Sequence, residues 1–595
     1  MRRSPQPEQH SGDRAASCTP GGQSKEEADT ASRSGESAPS TMKRRLSLVK
    51  RSQFFIEHEA GAELKDAYEV EETPLGQGGF GIVWRARMRG ASKVVRAVKA
   101  VKKQSAATDV MVQAEIDILR SLDHPYICRL FETFEGPKFT YLVMELVDGQ
   151  ELFDYIQAAS SGESLLSEDF AAHIMWQVFS ALQYCHGRSV VHRDLKPENI
   201  MVQRVARGGA KEPQLEIKLI DFGLAACWTG ASRPASGSLI GTYCYSAPEA
   251  RAGNSADPAS DIWSTGMILH TLLVGGLPDE EVCNGKEQLA LSSSAYAGIS
   301  APAKELLARL LRIKPQERLT ATGAADCAWL REEARAAPSQ DRIAKTMKAF
   351  TCFYRSNMLR RAFLTALATQ LADQQIVDLQ EQFLSMDVDH NGRISRAELV
   401  GAIERECPGH DGDIANWVES IFDSVDTDGS DEIEYTEWLA AAHHEGEVRS
   451  AEAIHAAFRV FDVDGSGKIS VHEIARITSD TPADIAEFMP EYDLNGDGEI
   501  DIEEFKHLIF RAPPLLSPGV SGDSLQGKAS RPKSAPAAAI SRMLDSGAER
   551  RRASSFLPGG DRPIAGGGAA QSGGTLLWRS QTHPVHPSAH MVVSV

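Results

Sequence analysis

The sequence predicts a multidomain protein: an α+β region first, an all-α region after it, and disordered tails at both ends. Three observations carry that prediction. A glycine-rich turn at residues 75–83 leads into a β-branched run, VVRAVKAV, which reads as strand rather than helix. Four acidic twelve-residue segments recur between Asp387 and Glu504, at intervals of 39, 36 and 31 residues. Residues 1–60 are rich in Ser, Gly, Pro, Gln and charge, and residues 511–595 in Pro, Gly, Ala, Ser and Arg. Such segments bury too little apolar surface to offset their ordering entropy. The expected boundaries are a disordered extension at 1–67, the α+β region at 68–330, a junction at 331–372, the all-α region at 373–510 and a disordered tail at 511–595.

At 595 residues, 42% of them hydrophobic, the chain has material for about three or four domains with real cores. Its net charge of −19 is unevenly placed: residues 373–510 hold 34 Asp+Glu against 8 Lys+Arg, a local −26, which leaves the remainder near +7. So acidic a block argues against nucleic acid as the main partner. The nine cysteines (18, 128, 185, 227, 244, 283, 327, 352 and 407) show no C-x-x-C spacing, so a reducing compartment is expected rather than a zinc or disulfide framework. No run of ~18 apolar residues suggests a transmembrane segment. The stretch MRRSPQPEQH lacks the apolar core of a signal peptide, and residue 2 is Arg rather than the Gly of a myristoylation site. A cytoplasmic monomer is expected. Lys43, Arg44 and Arg45 offer a basic segment that suits membrane or nuclear targeting alike.

In chain order, Leu75-Gly76-Gln77-Gly78-Gly79-Phe80-Gly81-Ile82-Val83 fits G-x-G-x-x-G-x-V, a turn whose bare backbone can cover phosphates closely. The β-branched run after it carries Ala97 and Lys99, where a dinucleotide-binding fold would place a helix at once. Residues 191–199 read VHRDLKPEN, residues 221–223 are Asp-Phe-Gly, and Ala247-Pro248-Glu249 follows Gly241-Thr242. In this order and spacing, over residues 68–330, the set resembles the protein kinases.

That resemblance implies a two-lobed α+β fold that binds ATP and Mg²⁺, and it implies a role for each matching residue. Lys99 should hold the α- and β-phosphates, oriented by an ion pair with Glu115. Asp194 should accept or orient the proton of the substrate hydroxyl. Asn199 and Asp221 should hold Mg²⁺. Lys196 and Thr242 match the serine/threonine class, so the partners are protein substrates with Ser or Thr acceptors. Met144 should guard the back of the adenine pocket, with Glu145 and Val147 offering backbone groups to adenine. Glu151 and Glu198 stand where family members that prefer basic substrates bind an upstream Arg. Asp261 and the pair Glu249 and Arg318 match structural anchors of the second lobe. A pseudokinase would have lost one of the Lys99, Asp194 or Asp221 positions, and none is missing. Residues 279–300 make a shorter segment than the family usually has near the substrate.

The four acidic segments read DVDHNGRISRAE, DTDGSDEIEYTE, DVDGSGKISVHE and DLNGDGEIDIEE, the EF-hand Ca²⁺ loop pattern. Their positions 1, 3, 5, 7 and 12 are Asp387, Asp389, Asn391, Arg393 and Glu398 in the loop at 387–398. In the loop at 426–437 they are Asp426, Asp428, Ser430, Glu432 and Glu437. The loop at 462–473 has Asp462, Asp464, Ser466, Lys468 and Glu473, and the loop at 493–504 has Asp493, Asn495, Asp497, Glu499 and Glu504. Position 7 uses its carbonyl, so its side chain is free to vary, and the terminal Glu can give two of the six to eight oxygens that Ca²⁺ takes. Position 6 is Gly392, Gly467 and Gly498 in three loops but Asp431 in the second, which tolerates left-handed backbone less well; a weaker site is expected there. Ile fills position 8 throughout (Ile394, Ile433, Ile469, Ile500) and suits a short ladder between paired loops, giving two lobes as in calmodulin.

Between the two regions, Lys345, Lys348, Arg355, Arg360 and Arg361 alternate with Ile343, Met347, Phe350, Phe353, Met358, Phe363 and Leu367 at helical spacing, a basic amphipathic pattern similar to calmodulin targets. Kinase motifs, basic helix and four EF-hands in this order, over residues 68–510, resemble the calcium-dependent protein kinases of plants and alveolate protists. The resemblance implies that the junction helix blocks the kinase at low Ca²⁺ and rearranges onto the EF-hands when they fill. Arg44-Arg45-Leu46-Ser47 and Arg551-Arg552-Ala553-Ser554 look like basophilic phosphorylation sites in the tails.

The segment LAACWTGASRPASGSLIGT has no Asp or Glu, although Arg193 beside Asp194 is often neutralised there in the family. A phosphate on Thr229, Ser232, Ser236 or Ser238 is therefore expected. Alanine at all four positions should lower the transfer rate in a radiolabel assay; full activity in that variant would reject the idea.

Overall fold

The structure, a computed structural model, describes residues 50–58, 62–78, 81–161, 166–206, 213–228, 243–253, 257–331, 340–371, 373–406, 413–442, 450–478 and 480–510. The expectations for residues 1–49 and 511–595, including both basophilic serines, lie outside the described residues, as do those for Gly79, Phe80, Thr229, Ser232, Ser236, Ser238 and Thr242.

The first lobe is a six-stranded sheet built from β1 (Ile56–His58), β2 (Tyr68–Gly78), β3 (Gly81–Met88), β4 (Ala91–Lys102), β5 (Leu130–Glu135) and β6 (Phe139–Glu145) in the order β1-β5-β6-β4-β3-β2. Only the β1–β5 pairing is parallel. The β-branched run lies in β4, between β3 and β6, where residues 98–101 are buried. Within the lobe, helix Ala106–Ser121 packs against this sheet. It starts where the Ser105 hydroxyl accepts the Thr108 N–H at 3.3 Å, and it turns Val112, Glu115, Ile116 and Leu119 inward at helical spacing. The second lobe is mainly helical. Its longest helices, Glu168–Gly187 and Pro258–Val274, are buried over most of their length, as helices apolar on every side must be.

One boundary is corrected. Composition predicts disorder through residue 67, yet Arg51–Phe54 forms a 3₁₀ turn and β1 forms the sheet edge. Phe54 and Ile56 are buried. The apolar triplet Phe54-Phe55-Ile56 gives this short stretch enough burial to order it, which an average over the polar extension conceals.

The junction is also corrected. The basic amphipathic pattern predicts one helix, and the structure has two, Gln340–Arg355 and Met358–Gln370, broken at Ser356-Asn357. The Asn357 side chain caps the second helix by accepting the Arg360 N–H at 3.0 Å. Both helices are enclosed by the calcium-loop region: Phe350 meets Trp438 edge-on at 5.1 Å, while Phe363 meets Phe461 at 4.6 Å and Phe505 at 4.8 Å. Two junction arginines, Arg360 buried and Arg361 half-buried, are engaged by backbone carbonyls rather than presented to acidic surface. Arg360 donates to the carbonyls of Leu508 and Ile509, both at 3.1 Å, and so caps the end of helix Ile502–Phe510. Arg361 donates to the Ser356 carbonyl at 3.1 Å and the Ser424 carbonyl at 3.3 Å.

The calcium-loop region also packs on the catalytic lobes. Helix Ala451–Phe461 lies on the first lobe, where Ala456 joins a core with Tyr68, Met88 and Val94. Lys93 pairs with Glu452 at 2.9 Å, and Arg129 donates to the Leu371 carbonyl at 3.0 Å. Loop 387–398 lies on helix Glu168–Gly187: Gln183 donates to the Asp389 carbonyl at 2.7 Å, and His390 meets Trp176 edge-on at 5.5 Å. Among the described residues no helix is long and apolar enough to cross a membrane.

Trp438 is fully buried between Phe350 of the junction and Phe383. Trp438→Ala should cost ~3–5 kcal/mol in the calcium-loop region. Chemical denaturation of the full chain, followed by far-UV circular dichroism, should show an early transition that wild type lacks.

Candidate functional site

The phosphate-loop glycines form a hairpin in which Gly76 pairs with Val83, Gln77 with Ile82 and Gly78 with Gly81. Gly81 has φ +151°, and a Cβ there would lie 2.4 Å from the Ala100 carbonyl oxygen, so only glycine fits. Among the described residues, a Cβ at Gly76 or Gly78 meets nothing within 4 Å, so no packing contact there requires these two glycines. Behind the hairpin, Lys99 pairs with Val83 on one side and Leu142 on the other, and Ala97 pairs with Met144. Leu75 is exposed, and Val147 half-buried, at the rim. The Glu145 side chain is occupied by Arg129 at 3.3 Å and Lys218 at 3.1 Å, and its N–H donates to the Arg129 carbonyl. Its backbone carbonyl faces the Cys128 thiol at 3.6 Å.

Lys99 Nζ lies 2.6 Å from Glu115 Oε1 and 2.7 Å from Asp221 Oδ1, so one ammonium joins a strand, a helix and the Asp-Phe-Gly segment. Burial alone lowers the Lys99 ammonium, but the two carboxylates more than offset it and hold it above its ordinary range. Burial likewise raises the Asp221 carboxyl, and Lys99 more than reverses this, leaving it below the usual carboxylate range and ionised at neutral pH. Asp194 sits nearby in the second lobe. Asn199 Nδ2 donates to its carbonyl at 2.8 Å and to its Oδ2 at 3.1 Å, and Lys196 Nζ lies 3.0 Å from the same Oδ2. Asp221, Asp194 and the Asn199 amide oxygen are hard oxygen donors of the kind a divalent cation takes, and the Ile220 N–H donates to the Asn199 carbonyl at 3.0 Å, which keeps the Asp-Phe-Gly segment beside this loop.

The loop carrying Asp194 is held from beneath. Asp261 accepts the backbone N–H groups of His192 and Arg193, both at 2.9 Å, and lies 2.9 Å from His186 Nε2. Arg193 can therefore take φ 69°, and Asp221 takes φ 60°, the left-handed backbone that turns each following segment. Arg318 and Glu249 form a two-pronged pair at 2.5 and 2.8 Å. The shortened stretch 279–300 contains two single turns, Glu280–Cys283 and Ser294–Tyr296, with the Tyr296 hydroxyl 2.9 Å from His270 Nε2.

Glu151 and Glu198 come together near Lys196. Burial, then the neighbouring charges of Asp154 and Glu198, push the Glu151 carboxyl up. Glu198 Oε2 is buried and has no hydrogen-bond partner among the described residues. These crowded carboxylates suit a cationic side chain from outside the chain.

In three calcium loops the carboxylates of positions 1, 3 and 12 converge within 4.8 Å of one another: Asp387, Asp389 and Glu398; Asp426, Asp428 and Glu437; Asp462, Asp464 and Glu473. Burial pushes the Asp387 and Glu437 carboxyls well above the usual range, and neighbouring ligand carboxylates add to it. A cation would relieve that crowding. The fourth loop wraps in the same way, with Asp493 accepting the N–H groups of Asp497 at 3.1 Å and Gly498 at 2.7 Å. Its Asp497, however, is held by Lys468 of the third loop at 2.6 Å. The isoleucines pair as a ladder, Ile394 with Ile433 and Ile469 with Ile500. Asp431 takes φ 66°, as glycines take at this position in the other loops, and its side chain is held by Arg396 at 2.8 Å.

Sequence reasoning missed the position-4 residue of the first loop. His390 has φ 57° where the other loops have Gly429, Gly465 and Gly496, and its ring packs on the second lobe. Aligning the four loops by column would have exposed it. Gly392 serves twice. The loop turn needs its φ of 79°, and a Cβ there would lie 2.6 Å from His124 and 2.7 Å from Tyr184.

Gly81→Ala should cost about 1–3 kcal/mol through strain against Ala100, and should weaken nucleotide binding with it. Gly78→Ala should leave the melting temperature unchanged. Calorimetric titration with ATP, beside a thermal melt of each variant, checks both.

Residues 68–330 match the protein kinase domain family, and residues 376–442 and 451–510 match the EF-hand domain pair. The chain is 33% identical over 464 residues to calcium-dependent protein kinase 3 of Plasmodium berghei (strain Anka), an alignment covering 75% of this chain and 80% of that protein. It is 31% identical over 457 residues to calcium-dependent protein kinase 22 of Arabidopsis thaliana, covering 72% and 88%. It is 32% identical over 469 residues to calcium-dependent protein kinase 3 of Oryza sativa subsp. japonica, covering 75% and 81%. With the buried lysine between two carboxylates and the converging loop ligands, these likenesses establish that the chain belongs to the calcium-dependent protein kinase family.

Proposed function

We propose that this calcium-regulated serine/threonine kinase is switched on by Ca²⁺, uses Mg²⁺ with ATP, and prefers protein substrates with a basic residue upstream of the acceptor. It acts as a cytoplasmic monomer. The observation that carries the reading is Lys99 shared between Glu115 and Asp221, because phosphoryl transfer depends mainly on positioned charge. Bound Mg²⁺ and ATP supply the transferable phosphoryl group and a divalent charge over the phosphates.

The residues divide the remaining work. Lys99 is a fixed cation for the α- and β-phosphates, and the Gly76 and Gly78 backbone can approach them closely. Asp221 and Asn199 are the metal-holding oxygens. Asp194 orients the acceptor hydroxyl and takes its proton, while Lys196, 3.0 Å away, supplies a compensating charge. Met144 borders the adenine site, and the Glu145 carbonyl with the Val147 backbone serves the base. Glu151 and Glu198 receive the upstream cation.

For the calcium switch, the Ca²⁺-filled loops must favour one arrangement of the junction over another. The enclosure of both junction helices by the loop region, together with the paired Lys99 and Glu115, supports this arrangement as the active one. Withdrawal of Ca²⁺ releases the helices to block the cleft.

The test is radiolabel transfer to a basic Ser peptide by the full chain in EGTA and in micromolar free Ca²⁺. Activity should rise with Ca²⁺; equal rates would reject activation. Asp194→Asn should lower the rate by about 10²–10⁴-fold with Ca²⁺ binding intact. The raised carboxyl of Glu151 adds a pH signature. As pH falls through that raised value, above the usual ~4.3, the group loses its charge and KM for a basic peptide should climb, while KM for a neutral peptide stays level.

A further inference from the structure

We propose that Arg51 is a positioning residue for phosphoryl transfer, holding the end of the helix that carries Glu115 and tying that end to the calcium-loop region. The proposal rests on the calcium-activated reading above for its regulatory half only.

A helix leaves its last carbonyls without intrahelical partners, and a cation at that end is favoured by the helix dipole. Helix Ala106–Ser121 receives both from outside itself. The Arg51 guanidinium donates to the Arg120 carbonyl at 3.3 Å and to the Leu122 carbonyl at 2.5 Å. Arg120 reciprocates by donating to the Ser52 carbonyl at 3.4 Å, with its guanidinium 4.7 Å over the Phe55 ring. Glu115 lies five residues before Arg120, about 7.5 Å along a rigid helix. Displacement of the capped end therefore moves Glu115 against Lys99.

The same guanidinium reaches the calcium-loop region through one buried carboxylate. Arg51 Nε lies 3.6 Å from Asp123 Oδ1, and Asp123 is 1% exposed. Asp123 in turn accepts the Thr436 N–H at 2.8 Å and the Thr436 hydroxyl at 2.9 Å. Thr436 immediately precedes Glu437, the terminal position of the second calcium loop. Removing Arg51 leaves two helix-end carbonyls without their donor and takes a cation away from a buried carboxylate. The segment itself is anchored on both sides. Phe54 is 3% exposed, edge-on to Phe461 at 6.3 Å, and β1 pairs in parallel with β5.

The experiment compares wild type with Arg51→Ala, Arg51→Gln and Arg51→Lys in the full chain. Steady-state kinetics with ATP and a basic Ser peptide are run across free Ca²⁺, with a thermal melt of each protein. Arg51→Ala and Arg51→Gln should lower kcat at saturating Ca²⁺ by at least about fivefold and raise the half-activating Ca²⁺ concentration. Peptide KM should not move, because the segment does not line the substrate site. Arg51→Lys should recover part of kcat, since an ammonium keeps the charge but not the fork. Should Arg51→Ala fail to fold, Arg51→Gln decides. Wild-type kcat in a folded Arg51→Gln, or a loss confined to KM, overturns the proposal. A wild-type rate indifferent to Ca²⁺ rejects the calcium reading instead, and the kcat comparison at fixed Ca²⁺ still decides the positioning role.

Discussion

A buried ammonium can keep its charge only where carboxylates meet it, and Lys99 has two, from a helix and from the Asp-Phe-Gly segment. Three elements must therefore be in place together for any one of them to be comfortable. The sheet presents Lys99 from a central strand, the helix must lie close enough for Glu115, and Asp221 must adopt its left-handed backbone. Much of the remaining structure serves that requirement. Asp261 pins the neighbouring catalytic loop by its backbone, and the contacts around Asp123 hold the far end of the helix.

The calcium region meets the catalytic lobes through specific parts of its loops. The first loop lies on the second lobe through Asp389, His390 and Gly392, and the helix after the second loop is held at Thr436 by Asp123. The third and fourth loops frame helices that close on Phe363 of the junction. Ligand positions in the first three loops are thus within one or two residues of catalytic-lobe contacts, since Phe461, which meets Phe54, immediately precedes Asp462, and Lys468 links the third and fourth loops to each other.

Much of the site was legible in the sequence because its chemistry demands fixed residue types at short spacing. Asp194, Lys196 and Asn199 share one loop, and each calcium loop is twelve consecutive residues. The pairing of the isoleucines followed from the same repeat. What escaped notice depended on partners far away in the chain. Phe54 and Ile56 look like two apolar residues in a polar tail until β5 and Phe461 are beside them. The junction reads as one continuous basic amphipathic stretch. Its break at Ser356-Asn357, the burial of Arg360 and the pairing of Arg361 involve carbonyls at helix ends as remote as Leu508 and Ser424.

The sequence by itself determined the two kinds of chemistry and the residues suited to each, because phosphate, metal and hydroxyl impose local donor patterns. The β-branched run VVRAVKAV also marked the strand that bears Lys99. Only the tertiary structure decided that residues 50–58 belong to the catalytic lobe, that the junction is two helices held within the calcium region, and that Asp123 joins both regions. Those outcomes rest on burial and on the pairing of helix-end carbonyls and buried charges, whose energy comes from groups tens to hundreds of residues apart.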